Sequence, residues 1–173
     1  LFRKDVRSGF KEIFSAVSAK TLPKWRLGAG VLGASFVAMQ THVVPIAGVA
    51  LFTVASLAGQ TAISLWVDHV GLIGSGKTLI TRRRIIAAVI TVIAVIVSAW
   101  DRFSQSDFSI AAIFLAIIAG GWVGIQRALN GQINSYSKKS FATSLLNFIT
   151  GTTFLLLLLL LRSLFTDHSI MNF

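Results

Sequence analysis

Five long apolar stretches constrain the fold of this chain more than any other feature of its sequence. They cover approximately residues 27–44, 47–67, 85–100, 110–133 and 141–161. A helix needs about 20 mainly apolar residues to cross the hydrocarbon core of a bilayer, and each stretch is close to that length. Only 13% of the residues are charged, whereas soluble domains contain about 25% charged residues. The sequence therefore predicts an all-α, polytopic membrane helix bundle with five transmembrane helices.

The basic residues lie mostly in alternate loops between these stretches. Lys and Arg number seven in residues 1–26, four in residues 77–84 and two at positions 138 and 139. Loops on the cytoplasmic side of a membrane carry an excess of Lys and Arg. The segments predicted to be cytoplasmic are 1–26, 68–84 and 134–140, and those predicted outside are 45–46, 101–109 and 162–173. This orientation accounts for the net charge of +10, so we expect no nucleic-acid partner.

The first 26 residues carry apolar side chains at helical spacing among their basic residues. Phe2, Val6, Phe10 and Ile13 are three or four positions apart. This pattern suits an amphipathic helix on the surface of an anionic membrane. Because the segment is strongly basic, we favour a basic cytoplasmic loop and keep the interfacial helix as the alternative.

Residues 71–78 read GLIGSGKT, a literal match to the phosphate-binding loop of nucleotide-binding proteins. In such a loop Lys77 would reach the phosphates and Thr78 would hold magnesium. The motif requires a short buried strand before it and a parallel sheet around it. Here an apolar run of membrane length precedes it, so nucleotide binding is the least favoured function.

Several polar side chains lie within the apolar stretches, where hydrocarbon makes an unpaired amide costly. Gln126 and Asn130 are four residues apart and share a helix face. Asn147 lies about as far beyond the predicted turn as Asn130 lies before it, so these two amides can meet. Such side chains either line a solute pathway or fasten helices by hydrogen bonds. The candidate pathway residues are Gln40, Gln60, Trp122, Gln126, Asn130 and Asn147.

Two charged residues near the predicted cytoplasmic ends of the stretches are candidates for a further role. Arg127 either extends its guanidinium to the membrane interface or binds an anionic group of the substrate. Asp68 either caps the second span and pairs with nearby arginines, or takes part in coupling to an ion. The chain contains no cysteine, and we predict no metal site and no cofactor.

Four segments carry a family resemblance. They are LGASFV (residues 32–37), AGQTAISLWVDHVGLIG (residues 58–74), GIQRALNGQI (residues 124–133) and ATSLLNFITGT (residues 142–152). Together they resemble the YdcZ-like branch of the drug/metabolite transporter superfamily, over roughly residues 27–161. In that family a five-helix unit occurs singly, as paired genes, or fused as two inverted copies in a ten-helix chain.

The resemblance implies that residues 27–100 correspond to the last three transmembrane helices of one repeat. Residues 110–161 then correspond to the first two helices of the next repeat. Because the chain begins at Leu1 and not at methionine, we expect a fragment that spans the junction of two inverted repeats. Its expected partners are the lipid bilayer, a small-molecule substrate and the rest of its own chain, and formation of a homodimer stays open.

The resemblance also implies a function. It indicates a secondary transporter, not an enzyme, that exports a small metabolite or drug-like solute by alternating access. Related small multidrug antiporters use a carboxylate in their first helix, whereas no Asp or Glu lies in the middle of a span here. The alternative from another class is a non-transporting membrane scaffold or helper subunit, whose polar residues only fasten helices.

Overall fold

The computed structural model describes residues 2–71, 81–100 and 109–165. All regular secondary structure in these ranges is helical: α1 (Phe2–Ser18), a short 3-10 helix (Lys24–Gly28), α2 (Ala29–Ala47), α3 (Val49–Val70), α4 (Arg82–Trp100), α5 (Ile110–Ser137) and α6 (Ser140–Phe165). Five helices, α2 to α6, are long and apolar enough to cross a membrane. The predicted all-α class and the five predicted spans are therefore confirmed.

Most of the membrane helices extend beyond the apolar stretches that predicted them. α5 continues to Ser137, four residues past the predicted end of its span, and α4 begins at Arg82. The 28 residues of α5 give it a length of about 42 Å, whereas the hydrocarbon core is about 30 Å thick. Backbone hydrogen bonds continue where the side chains become polar, so a helix does not end at the edge of the hydrocarbon. α5 ends where Lys138 adopts a left-handed conformation, with φ of 50°.

The turn between α2 and α3 lies beyond the position that Pro45 suggested. Pro45 is inside the last turn of α2, and the chain reverses at Gly48, which has φ of 79° and ψ of 155°. Only glycine adopts this backbone conformation without strain. The connection between α2 and α3, which was predicted to be external, therefore centres on Gly48 and not on residues 45–46.

The N-terminal segment is helical where a basic loop was favoured. Ile13, Ala16 and Leu22 are buried, and they pack in one cluster with Leu129 and Ile133 of α5 and Ala142 and Leu146 of α6. The amphipathic pattern thus does form a helix. Its apolar face contacts the ends of α5 and α6 instead of lying free on a membrane surface.

α5 is the centre of the bundle, with its most extensive contacts to α3 and α2. α3 runs parallel to α5: a Cβ on Gly120 would meet the Ser56 carbonyl oxygen, and one on Gly124 would lie 3.2 Å from the Gln60 carbonyl oxygen. α4 packs mainly on α3, and α6 packs on α2 more than on α5. α4 and α6 leave most of their apolar side chains exposed, as expected of helices that contact lipid.

Candidate solute site

Two cavities flank α5 within the membrane-spanning part of the bundle. The first, called here the α3/α4/α5 cavity, has a volume of about 350 Å³. The second, the α2/α5/α6 cavity, has a volume of about 430 Å³. α5 contributes Arg127 to the first cavity and Gln126 to the second. Because neighbouring helical residues point about 100° apart, these two side chains lie on different sides of the same helix.

The α3/α4/α5 cavity is polar along one face of α3. The polar side chains that line it are Gln60, Thr61, Ser64 and Asp68 of α3, Arg84 of α4 and Arg127 of α5. Gln60 is near the middle of α3 and Asp68 is near its end. The eight residues between them correspond to about 12 Å along the helix axis. The cavity therefore extends from the middle of the membrane helix toward the end of the bundle that carries the basic residues.

Asp68 forms an ion pair with Arg84 across the wall of this cavity. The pair joins the end of α3 to the first turn of α4, and the side chain of Asp68 is only 17% exposed. The sequence-based prediction that Asp68 pairs with a nearby arginine is confirmed. Arg127 has no ion-pair partner in the part of the chain that the structure describes.

Gln60 presents a buried amide to the same cavity. Its Oε1 atom is inaccessible to solvent and accepts no hydrogen bond from any described residue. The hydroxyl of the next residue, Thr61, donates to the Leu57 carbonyl oxygen at 2.8 Å, and one turn after Gln60 the Ser64 hydroxyl donates to the Thr61 carbonyl oxygen at 2.9 Å. Both hydroxyl protons are therefore used within α3, and toward the cavity these hydroxyls can accept hydrogen bonds.

The α2/α5/α6 cavity is uncharged and contains two amides, Gln126 and Asn147. The Gln126 carboxamide lies against Gly33 of α2, where a Cβ atom would be 2.4 Å from its Nε2 atom. Gly30 approaches α6 equally closely, since a Cβ there would be 2.2 Å from the Asn147 carbonyl oxygen. Gly30 and Gly33 thus allow the backbone of α6 at Asn147 and the side chain of Gln126 to lie against α2.

Comparison with protein families identifies the family of this chain. Residues 8–97 and 111–171 match the family described as "Putative inner membrane exporter, YdcZ". The chain belongs to this exporter family. Together with its five membrane-length helices, this membership makes it a multi-pass inner membrane protein. Comparison with curated proteins and with solved structures found no match.

The structure of this exporter-family chain distributes the predicted site residues among three environments. Gln60, Asp68 and Arg127 line the α3/α4/α5 cavity. Gln126 and Asn147 line the α2/α5/α6 cavity. The remaining three candidates line neither cavity: Gln40 is exposed on α2, and Trp122 and Asn130 are half-buried on α5.

Asn130 and Asn147 do not form the pair that their spacing suggested. The Asn130 Oδ1 atom is buried and accepts no hydrogen bond from a described residue, while Asn147 faces the cavity that it shares with Gln126. The reason is the position of α2, which contacts both α5 and α6 and separates them beyond their common turn. Near that turn the two helices do meet, where the Ser137 and Thr143 hydroxyls are 3.1 Å apart.

Sequence reasoning missed several residues of the cavities, among them Thr61, Ser64, Gly33 and Arg84. The signal for Ser64 was available, because it is four residues from both Gln60 and Asp68 and shares their helix face. Gly33 had no local signal, because its importance depends on where α2 crosses α5.

The phosphate-loop motif lies, after Gly71, outside the described residues. What precedes it is described: α3 is a helix of 22 residues that ends at Val70. A phosphate-binding loop follows a strand of a parallel sheet, and no strand precedes this motif in residues 2–71. The strand that should precede a phosphate-binding loop is therefore missing from the described residues before the motif.

Proposed function

We propose that this chain is part of a secondary transporter that exports a small metabolite or drug-like solute by alternating access. The solute passes through the cavities beside α5. The observation that carries the proposal is the Gln60 side chain, which lines a cavity at the middle of α3 and whose buried Oε1 atom accepts no hydrogen bond from a described residue. Leaving a buried acceptor unpaired costs about 1–3 kcal/mol, and rotation of the amide toward a hydrogen-bond donor on a bound solute would remove that cost.

If the protein were only a membrane scaffold, its buried amide side chains would be expected to hold helices together. Amides that only fasten helices form hydrogen bonds across the helix interface. The Gln60 Oε1 and Asn130 Oδ1 atoms accept none from the described residues. The helices are instead held together by close backbone contacts at glycines such as Gly59 and Gly120. The amides are therefore not needed as fasteners, which supports the transporter.

The proposal includes the junction of two inverted repeats and a longer chain that completes the transporter. The family match is interrupted between residues 97 and 111, where the sequence predicted one repeat to end and the next to begin. An odd number of helices per repeat inverts the second copy. The remaining helices of the same protein, together with lipid, would then contact the exposed faces of α4 and α6 and enclose the pathway.

The test is export by the full-length protein carrying Gln60→Ala or Gln126→Ala. Untargeted mass spectrometry of the culture medium identifies solutes whose release depends on the wild-type protein. We expect both variants to lower that release at least several-fold at equal membrane abundance, since each removes a polar wall of one cavity. Thr53→Ala is the matched control, because Thr53 is exposed on α3 and lines neither cavity. Wild-type release by both glutamine variants would refute the pathway.

A further inference from the structure

We propose that the α3/α4/α5 cavity binds an oxyanion, a carboxylate or a phosphate, on a small solute that also carries hydrogen-bond donors. The inference rests on the proposed transport function and gives the chemical class of its solute. It follows from three properties of the cavity: an unpaired positive charge, a row of hydrogen-bond acceptors and a small volume.

The first property is the charge balance of the cavity wall. Its charged side chains are Asp68, Arg84 and Arg127. Asp68 and Arg84 neutralise each other in their ion pair. Arg127 remains as a guanidinium without an ion-pair partner among the described residues. The charge of this guanidinium attracts an anion, and its planar group binds carboxylate or phosphate oxygens through two parallel hydrogen bonds.

Arg127 lines the cavity within α5, away from the basic end of that helix. It lies ten residues before Ser137, the last residue of α5, which is about 15 Å from that end of the helix. Its neighbours on the cavity wall include Gly124 and Ala128, whose small side chains leave room beside the guanidinium. The charge is thus set back from the basic end, in a place where a solute can reach it.

The second property is the acceptor wall of α3. The Gln60 Oε1 atom is unpaired, and the Thr61 and Ser64 hydroxyls donate their protons to backbone carbonyls. The two hydroxyls line the cavity and therefore offer acceptors to it, and the Gln60 amide would offer a third after its oxygen rotates toward the cavity. A solute that fits must present hydroxyl or ammonium donors to α3 while its anionic group binds Arg127.

The third property is the volume of about 350 Å³, near the lower end of the range of about 300–1,000 Å³ for ligand sites. A small polar solute fills such a space. A lipid phosphate offers the same oxyanion chemistry. The lipid composition of the nanodiscs in the test below distinguishes a solute anion from a lipid phosphate.

The test is ligand binding to the purified full-length protein in nanodiscs of zwitterionic lipid, followed by thermal unfolding. The four tryptophans of this chain contribute to the fluorescence signal. The probes are glycerate and glycerol 3-phosphate, with glycerol as the uncharged control that keeps the hydroxyl donors. We expect both anions to raise the unfolding temperature in a saturable manner and glycerol to leave it unchanged.

Variants assign the effect to the cavity. Arg127→Gln should weaken binding of both anions at least about tenfold, the loss expected for a charged hydrogen bond, and Arg127→Lys should retain part of it. Asp68→Asn should strengthen binding several-fold, because it removes the competing carboxylate and releases Arg84. Arg83→Gln is the matched control: it removes the same charge from α4, and Arg83 does not line the cavity. If Arg127→Gln does not fold, the anion binding of Asp68→Asn and Arg127→Lys decides whether the cavity holds the oxyanion.

Three results would overturn the oxyanion site. They are equal stabilisation by glycerol, anion binding that is insensitive to Arg127 and Asp68, and stabilisation only in nanodiscs of anionic phosphatidylglycerol, which would assign the charge to lipid. The oxyanion site and the transport function can be refuted separately. Gln60-dependent export of a neutral or cationic solute would refute the oxyanion and leave the transporter standing. Arg127-dependent anion binding without any export would support the oxyanion site and refute the transporter.

Discussion

At the scale of single residues, glycines decide how closely the central helices approach each other. A Cβ atom on Gly120 would lie 1.9 Å from the Ser56 carbonyl oxygen, and one on Gly59 would lie 1.9 Å from the Ile117 carbonyl oxygen. Both contacts are with backbone, which cannot move aside as a flexible side chain can. Within a membrane, helices associate through such close packing because apolar burial provides no driving force against lipid.

We therefore predict that Gly120→Ala destabilises the protein and that Gly131→Ala does not. The first substitution forces α3 and α5 apart, at a cost of about 1–3 kcal/mol for an overpacked interior. Gly131 is on the same helix with open space around its Cβ position, so alanine there should be neutral or stabilise by up to about 1 kcal/mol. Thermal unfolding of the purified full-length variants measures both effects. Equal changes at the two positions would contradict the close crossing.

At the scale of elements, α1 is attached to the turn between α5 and α6. The Lys139 ammonium donates to a carboxylate oxygen of Asp5 at 2.7 Å, and the Tyr136 hydroxyl donates to the Thr21 carbonyl oxygen at 3.1 Å. A Cβ on Gly9 would lie 2.5 Å from the Ala142 Cβ. Because Ile13 is only 1% exposed, apolar burial contributes more to this attachment than the exposed ion pair.

This balance predicts that Ile13→Ala releases α1, whereas Asp5→Asn only loosens it. Removing a buried isoleucine side chain costs about 2–5 kcal/mol, and exposed ion pairs contribute little. Hydrogen–deuterium exchange of the α1 amides should rise strongly in Ile13→Ala and slightly in Asp5→Asn. Glu12→Ala is the control, since Glu12 is exposed on the same helix. A larger effect from Asp5→Asn would reverse the proposed balance.

The pH dependence of this contact follows from the same pair. The hydrogen bond and the charge of Lys139 lower the pKa of Asp5 below its ordinary value of 3.8. A lowered pKa in the folded state stabilises the contact above the unfolded value, and this contribution is lost as the pH falls through the lowered pKa. Exchange protection of α1 that depends on this pair should therefore be constant from about pH 5 upward.

At the scale of the whole molecule, the helices alternate in direction, and most of the basic residues that the structure describes lie at one end, with Arg162 at the end of α6 as an exception. The Asp5–Lys139 pair and the Asp68–Arg84 pair both lie at that end. The reversal at Gly48 lies at the other. This arrangement agrees with cytoplasmic placement of residues 1–26, 68–84 and 134–140, which stays a prediction from the positive-inside rule.

Single-cysteine labelling in intact cells tests this topology, and the lack of cysteine in this chain helps to keep the background low. The full-length protein would carry Thr78→Cys, Ser135→Cys, Ser106→Cys or Ser169→Cys; of these positions, the structure describes only Ser135. An impermeant maleimide should label positions 106 and 169 in intact cells and positions 78 and 135 only after permeabilisation. Labelling of all four in a soluble fraction would contradict the membrane topology and return attention to the phosphate-loop motif.

The number and approximate position of the membrane helices could be read from the chain. Hydrocarbon imposes the same local requirement on every span, namely sufficient apolar length with all backbone groups hydrogen-bonded inside the helix. The family could be recognised for a related reason, because its motifs are continuous segments. Helix ends were less predictable, as α1, Pro45 and the last turn of α5 show, since polar or proline-containing segments remain helical when neighbouring helices support them.

The grouping of polar residues into sites required the packed bundle. Gln126 and Arg127 are adjacent in sequence and line different cavities, whereas Gln60 and Arg127 are distant in sequence and line the same one. Asn147 faces Gln126 and not Asn130 because α2 lies between α5 and α6. Hydropathy describes each helix by itself, but the choice of neighbouring helices depends on where small residues allow two backbones to meet, and that is a property of pairs of helices far apart in sequence.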